Sequence, residues 1–343
     1  MRIIFMGTPD FAVESLKKLV ENGQDVVAVV TMPDKAVGRH HEVLQASPVK
    51  QYALGQGIPV LQPEKLKDEA FLEQLRSYKA DLQVVVAFRM LPEVVWAMPS
   101  MGTFNLHAAL LPQYRGAAPI NWAVINGETE TGVTTFFLDH DIDTGRIIHR
   151  VPVPIADTDT AGDVHDRLMF LGADLVLRTV KDIEAGNVTP VDQCSVLGES
   201  VAELHPAPKL FRENTEIRWH EHTVKSAYDF IRGLSPYPGA WTTLRTADGK
   251  ETQLKLFFAE KELIHNSQFT IHNEIIESRA DAEETIMNYE LLIMNSSLFV
   301  PLSDGYLRLT DLQLAGKRRM KAEDFLRGAH LEGAVLVESV NKS

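Results

Sequence analysis

Asn105, His107 and Asp143 are the side chains of this sequence best suited to carry out a reaction. Asn105 and His107 lie two positions apart at the end of an apolar run, and on a strand such residues project from the same face. Their polar atoms can therefore converge on one point. A neutral imidazole near pH 7 can take a proton from an attacking amine, help typically worth ~10² to 10⁴ in rate. An amide N–H from Asn105 can hold a carbonyl oxygen as it becomes negative, where one lost donor costs ~10² to 10³ in turnover. Asp143 opens Asp143-Thr144-Gly145, a turn signal, and a carboxylate there can return from a neighbouring strand to orient the ring. The trio suits acyl transfer. Asp139 and Asp141 are rival carboxylates, but Asp143 is the one set against the Thr-Gly turn.

Two other chemistries find less support. Gly7-Thr8-Pro9-Asp10-Phe11-Ala12 lacks the second and third glycines of a dinucleotide fingerprint, and Pro9 removes an amide that a pyrophosphate would use. The segment reads as a tight strand-to-helix turn, its helix capped by Thr8 or Asp10. His40 and His41 are adjacent rather than spaced, and Asp139, His140 and Asp141 lack obvious partners, so no metal is expected. With a single cysteine, Cys194, an internal disulfide is excluded, which fits a reducing compartment.

The surrounding elements decide whether these side chains can meet. Strand-like runs at 2–6, 25–31, 58–61, 82–88 and 102–106 alternate with helical patterns at 11–20, 48–54 and 65–78. A polar connection occupies 34–48. This β-α order predicts a Rossmann-like α/β domain built on a parallel sheet covered on both faces. Ligands then bind beyond the carboxyl ends of the strands, where Gly7, Asn105 and His107 fall. Extended segments follow between Val133 and Pro154, and a long helix from Thr160 to Glu184. Pro190, Pro206 and Pro208 punctuate an aperiodic stretch. The expected division is a catalytic domain at 1–189, a linker at 190–208 and a second domain at 209–343. In the second domain a helix near 223–232 and short strands at 241–244, 253–259, 291–300 and 306–314 suggest a small β-barrel of OB-like type.

At 343 residues, 45% hydrophobic and 24% charged, the chain can fill two domains. The apolar start is too short for a signal peptide, and no run approaches the ~18 apolar residues of a membrane span. A soluble cytoplasmic protein is expected. A net charge of −13 argues against general affinity for nucleic acid, so any polyanion must meet a local basic patch. No heptad or conspicuous apolar surface segment appears, and a monomer is the expectation.

Several segments together carry a resemblance. They are Phe5-Met6-Gly7-Thr8-Pro9-Asp10-Phe11-Ala12, Gln62-Pro63-Glu64, Asn105-x-His107, Leu110-Leu111-Pro112-x-Tyr114-Arg115-Gly116-Ala117-Ala118-Pro119-Ile120 and Asp143-Thr144-Gly145. In the second domain Lys209-Leu210, Ile217-x-Trp219, Pro236-x-Pro238-Gly239-Ala240-Trp241, Gly316-Lys317-Arg318-Arg319-Met320 and Leu326-Arg327-Gly328 extend the match. The chain resembles the methionyl-tRNA formyltransferase family nearly end to end. The resemblance implies transfer of a formyl group from 10-formyltetrahydrofolate to the α-amino group of initiator methionyl-tRNA, without a covalent enzyme intermediate. It assigns the formyl oxygen to Asn105, proton removal to His107, and orientation of His107 to Asp143. Phe88, Arg89, Met90, Leu91, Leu110, Leu111, Pro112 and Asp139 would lie against the folate. Lys35, Arg39, Lys317, Arg318 and Arg319 would contact tRNA.

Two departures from the family pattern stand out. Ala109 occupies a position where a serine is common. The 33–43 loop, which in the family enters the acceptor stem, holds only Lys35 and Arg39 as fixed positive charge, with His40, His41 and Glu42 beside them. Other chemistries compatible with the same trio are an amino-sugar N-formyltransferase and a formyltetrahydrofolate hydrolase. A folate- or tRNA-binding module without chemistry is the non-enzymatic alternative.

Overall fold

Strand β1 (Arg2–Gly7) is apolar on both faces, and Ile3, Ile4, Phe5 and Met6 are fully buried, as befits a strand inside a covered sheet. The structure is a computed structural model that describes residues 1–37, 43–196, 203–263, 284–329 and 331–341. They divide into two units. The first is Met1–Ile120, Glu130–Ile155 and Asp163–Pro208; the second is Asn121–Thr129, Ala156–Gly162 and Lys209–Ser343.

After β1 come helix α1 (Asp10–Glu21), β2 (Asp25–Val30), the short pair β3 (Lys35–Val37) and β4 (Val43–Gln45), and α2 (Pro48–Gly55). Then follow β5 (Val60–Leu61), α3 (Glu69–Ser77), β6 (Leu82–Val86), α4 (Glu93–Trp96), β7 (Thr103–His107) and α5 (Pro119–Ile125). Next are β8 (Glu130–Phe137), β9 (Ile147–Pro154), α6 (Ala161–Glu184) and α7 (Gln193–Val196). The main sheet runs β5-β2-β1-β6-β7-β8-β9. The first five strands pair in parallel, while β8 and β9 close the edge antiparallel.

The helices follow from their stripes and caps. In α1 the buried residues Phe11, Ala12, Ser15, Leu16 and Leu19 recur at helical spacing. Its N-cap is Pro9 with no side-chain hydrogen bond, so neither Thr8 nor Asp10 caps it as expected. Ser47 caps α2 by accepting from the Lys50 amide, with Pro48 in the first turn. The helix expected from residue 65 starts at Glu69, because the Asp68 carboxylate accepts from the Phe71 amide and fixes the first turn there. The polar connection at 34–48 contains the β3–β4 pair, too short and too weakly patterned to stand out in sequence.

The second unit holds α8 (Val224–Gly233), β10 (Ala240–Arg245), β11 (Glu251–Leu263), β12 (Glu284–Glu290), β13 (Leu292–Met294), β14 (Ser297–Leu302) and β15 (Gly305–Leu314). It ends with β16 (Met320–Lys321), α9 (Ala322–Gly328) and β17 (Val335–Asn341). All pairings are antiparallel in the order β12-β17-β10-β11-β15-β14-β13, with β16 on β15. Contact between β12 and β14 brings the ends of the sheet together as a nearly closed barrel. Trp219, Ile231, Leu254, Leu298 and Leu336 are among the side chains filling it.

Candidate active site

Register places the site. Gly7 pairs with Val86, and Val86 with Leu106, so the carboxyl ends of β1, β6 and β7 align and His107 stands one residue beyond. Leu106 faces α6, where a Cβ on Gly172 would approach it to 2.7 Å. Asn105 and His107 therefore point to the opposite face. Asn105 pairs with Val85 on one side and Phe136 on the other, and His107 with Thr134. The Thr134 hydroxyl donates to the Ala109 carbonyl at 2.6 Å and accepts from the Leu111 amide at 3.1 Å, which holds the chain just past His107. Ala109 itself is fully buried.

His107 is 5% exposed, with the Phe136 ring edge-on to it. Its Nε2 lies 2.8 Å from the Tyr114 carbonyl oxygen. A carbonyl only accepts, so Nε2 carries the hydrogen, and in the neutral ring Nδ1 is the free base. Nδ1 lies 3.7 Å from Asp143 Oδ2, beyond hydrogen-bond length yet close enough for an ion pair once the ring is protonated. Of the three candidate carboxylates, Asp143 is the one the fold brings to His107. Asp139 is exposed and accepts from the next amide, that of His140, at 2.7 Å; Asp141 is also exposed. Asn105 is half-buried, and among the described residues its amide makes no hydrogen bond.

Asp143 is held from several sides. Its backbone is left-handed (φ 55°), and its Oδ2 accepts from the Gly116 amide at 3.0 Å. The side chain of Gln193 donates to the carbonyls of Asp143 at 2.8 Å and Gly145 at 2.9 Å. Gly145 is required because a Cβ there would sit 1.7 Å from the Phe137 carbonyl oxygen. Gly116, at φ 128°, passes the Ala207 backbone so closely that a Cβ would come within 2.3 Å of its oxygen.

The apolar rim continues from this centre. Phe88, Leu91 and Leu138 pack on the cluster that contains Ile4, Met6 and Val85, while Met90 and Ile142 are largely exposed. Arg89 spans two loops: its guanidinium donates to the Glu64 carbonyl at 2.9 Å and to that of Pro63, and it lies over the Phe88 ring. Burial holds this guanidinium below its ordinary pKa. Among the described residues the buried Arg89 Nε and Thr8 Oγ1 have no hydrogen-bond partner. Such orphaned donors beside an apolar edge suit a ligand that is flat, aromatic and polar at its rim. Leu110 is half-buried and Pro112 buried. Leu111, expected against the folate, is instead fully enclosed with Phe136 and Ile147, so its side chain anchors the loop in the core.

The basic residues divide. Lys35 is exposed on β3, and Lys317 and Arg318 are exposed after β15; Arg39 lies outside the described residues. Arg319 is exposed as well and is also paired within its own unit: it donates twice to Asp311, at 2.7 and 3.0 Å, and covers the Phe257 ring at 4.3 Å. Among the described residues no cluster of three or more His, Cys, Asp or Glu side chains could hold a metal, and no helix is long and apolar enough to cross a membrane. Sequence patterning missed Tyr114, whose contribution is a carbonyl oxygen, and Gln193, which sits in an aperiodic stretch.

The chain is similar to known proteins over most of its length. Residues 1–180 match the formyl transferase family model and residues 209–330 its C-terminal domain model. The chain is 58% identical to the methionyl-tRNA formyltransferase of Parabacteroides distasonis over 96% of this chain and 95% of that one. It is 60% identical to the methionyl-tRNA formyltransferase of Phocaeicola vulgatus over 96% and 95%. Among solved structures, HypX from Aquifex aeolicus in complex with tetrahydrofolic acid has a TM-score of 0.59 at 17% identity, covering 95% of this chain and 47% of that one. The sugar 3N-formyl transferase WlaRD, solved with dTDP and 5-N-formyl-THF, has a TM-score of 0.59 at 17% identity, covering 93% and 99%. At such identities these two speak to fold alone.

Proposed function

The chain belongs to the formyl transferase family, and from that premise we propose that it formylates the α-amino group of initiator methionyl-tRNA with 10-formyltetrahydrofolate as donor. One observation carries the chemistry: a half-buried amide and an imidazole share one face of β7, with the free Nδ1 of that imidazole directed toward a carboxylate. Full-length relatives at 58% and 60% identity that bear the methionyl-tRNA formyltransferase name support the acceptor.

When bound, the folate supplies the formyl carbon, and Phe88, Met90 and Leu91, with Leu110, Pro112 and the polar atoms of Arg89 and Thr8, are the residues that would hold it. A free α-amino group titrates near ~8, and the adjacent ester lowers this, so much of the nucleophile is neutral at physiological pH. As its nitrogen attacks, a C–N bond forms and the formyl oxygen gains charge, which the Asn105 amide stabilises by donating a hydrogen bond. The nitrogen becomes acidic and its proton passes to His107 Nδ1. The resulting imidazolium is flanked by the Asp143 carboxylate and keeps its Nε2–H on Tyr114. Returning that proton to the departing folate nitrogen restores the neutral ring and breaks the second C–N bond. Asp143 acts as an electrostatic partner of the imidazolium, its carboxylate fixed by Gly116, while the Tyr114 carbonyl orients the ring.

Exposed Lys35, Lys317, Arg318 and Arg319 are the described residues offered to the tRNA phosphates, and Arg39 joins them on the resemblance of its loop. Incubation with labelled 10-formyltetrahydrofolate beside charged initiator tRNA, uncharged tRNA, free methionine and an amino sugar tests the assignment. Label on charged tRNA alone supports it, whereas label on the amino sugar, or formate release without an acceptor, replaces it with the sugar transferase or the hydrolase.

A further inference from the structure

We propose that Gln193 is a positioning residue for the reaction, acting through Asp143. The proposal rests on the role given to Asp143 above. Gln193 lies between the segments matched by the two family models, in a stretch whose composition reads only as a linker. The fold places its side chain in the first unit, 3% exposed, immediately behind the catalytic turn.

A primary amide can donate twice and accept twice, and Gln193 uses all four capacities. Its Nε2 donates to the carbonyls of Asp143 and Gly145, at 2.8 and 2.9 Å. Its Oε1 accepts from Arg115 Nε at 3.0 Å and Nη2 at 2.7 Å. Arg115 precedes Gly116, whose amide binds the Asp143 carboxylate. One buried amide thus grips the backbone of Asp143 directly and, through Arg115, the strand of chain that binds its carboxylate. Asp143 needs such a grip because its left-handed backbone is costly for a non-glycine residue. Gln193 is itself anchored: Val191 pairs with Ile147 in both directions, at 2.8 and 2.9 Å. This closed ring fixes the distance from Asp143 Oδ2 to His107 Nδ1.

Two substitutions probe the ring. Gln193→Leu keeps the volume and removes all four hydrogen bonds. Gln193→Glu keeps the acceptor for Arg115 but turns an oxygen toward the carbonyls of Asp143 and Gly145, so it opens the turn while leaving the Arg115 link intact. Each should lower kcat about 10-fold with both KM values within about 2-fold, because misplacement affects the chemical step rather than substrate contact. Each is combined with Asp143→Asn in the full-length enzyme. In a double-mutant cycle, Asp143→Asn with either Gln193 change should be no slower than Asp143→Asn alone. A general structural role would instead multiply the losses, and parental kcat in both single variants, or multiplied losses in the doubles, overturns the proposal. Should the leucine variant fail to fold, the glutamate variant carries the test. Parental kcat for Asp143→Asn alone removes the role of Asp143 itself, an outcome visible without any change at Gln193.

Discussion

His107 donates its Nε2–H to the Tyr114 carbonyl oxygen at 2.8 Å, which directs the basic Nδ1 toward Asp143 Oδ2 at 3.7 Å. On the proposed mechanism the ring therefore meets the reacting amine with the nitrogen nearest the carboxylate. Long-range ¹H–¹⁵N spectra of the free enzyme with labelled histidine, recorded above neutral pH, should show His107 as the Nε2–H tautomer. Dominance of the Nδ1–H tautomer would contradict the proton path.

On the proposed mechanism Asn105 contributes to the chemical step and little to folding, since its amide has no protein hydrogen bond among the described residues. Asn105→Ala should lower kcat by ~10² to 10³, the usual cost of losing one oxyanion donor. Thermal unfolding should change by less than about 1 kcal/mol. A loss of stability with unaltered kcat would make Asn105 a structural residue.

Gly145 shows the opposite balance. A Cβ there would meet the Phe137 carbonyl oxygen at 1.7 Å and force β8 away from the turn that carries Asp143. Gly145→Ala should lower the melting temperature by about 5 °C or more, the effect of roughly 2 kcal/mol in a domain of this size, and kcat with it. Unchanged melting would mean that the turn has room to relax.

Asp311 supplies a pH-dependent contribution in the barrel. Burial raises its carboxyl pKa, but hydrogen bonds and charge from Arg319 and Lys321 outweigh this and leave it below the ordinary value. A carboxylate with a depressed folded pKa stabilises above its unfolded pKa, near ~3.9, and that stability is lost as pH falls through the folded value. Asp311→Asn should cost about 1–2 kcal/mol at pH 7, kept modest because Arg319 is one-third exposed. The gap from the parent in thermal melts should hold between pH 7 and 5 and narrow below about pH 4. A gap that persists in acid would assign the loss to packing.

Legibility in the sequence followed the range of the interaction. Asn105 and His107 could be recognised because a spacing of two on a strand is local geometry, and Asp143 because its Thr-Gly turn is written in adjacent residues. Tyr114 could not, since any residue supplies a carbonyl and only the left-handed turn at φ 59° aims this one. Gln193 was hidden for a related reason: its partners are backbone oxygens at 143 and 145 and a guanidinium at 115, none of which leaves a periodic trace. Leu111 and Arg319 were ambiguous by type. An apolar loop residue can face a ligand or the core, and an arginine can face RNA or a neighbouring carboxylate. The β15–β16 pairing, which joins Asp311 to Lys321, sets Arg319 beside a carboxylate while leaving it exposed.

The most direct test of the catalytic centre is single-turnover formyl transfer from 10-formyltetrahydrofolate to charged initiator tRNA by His107→Ala, with both substrates saturating. A fall of ~10² to 10⁴ in the chemical rate, with both substrates bound at near-parental affinity, is predicted. A rate within a few-fold of the parent would show that His107 does not take the proton.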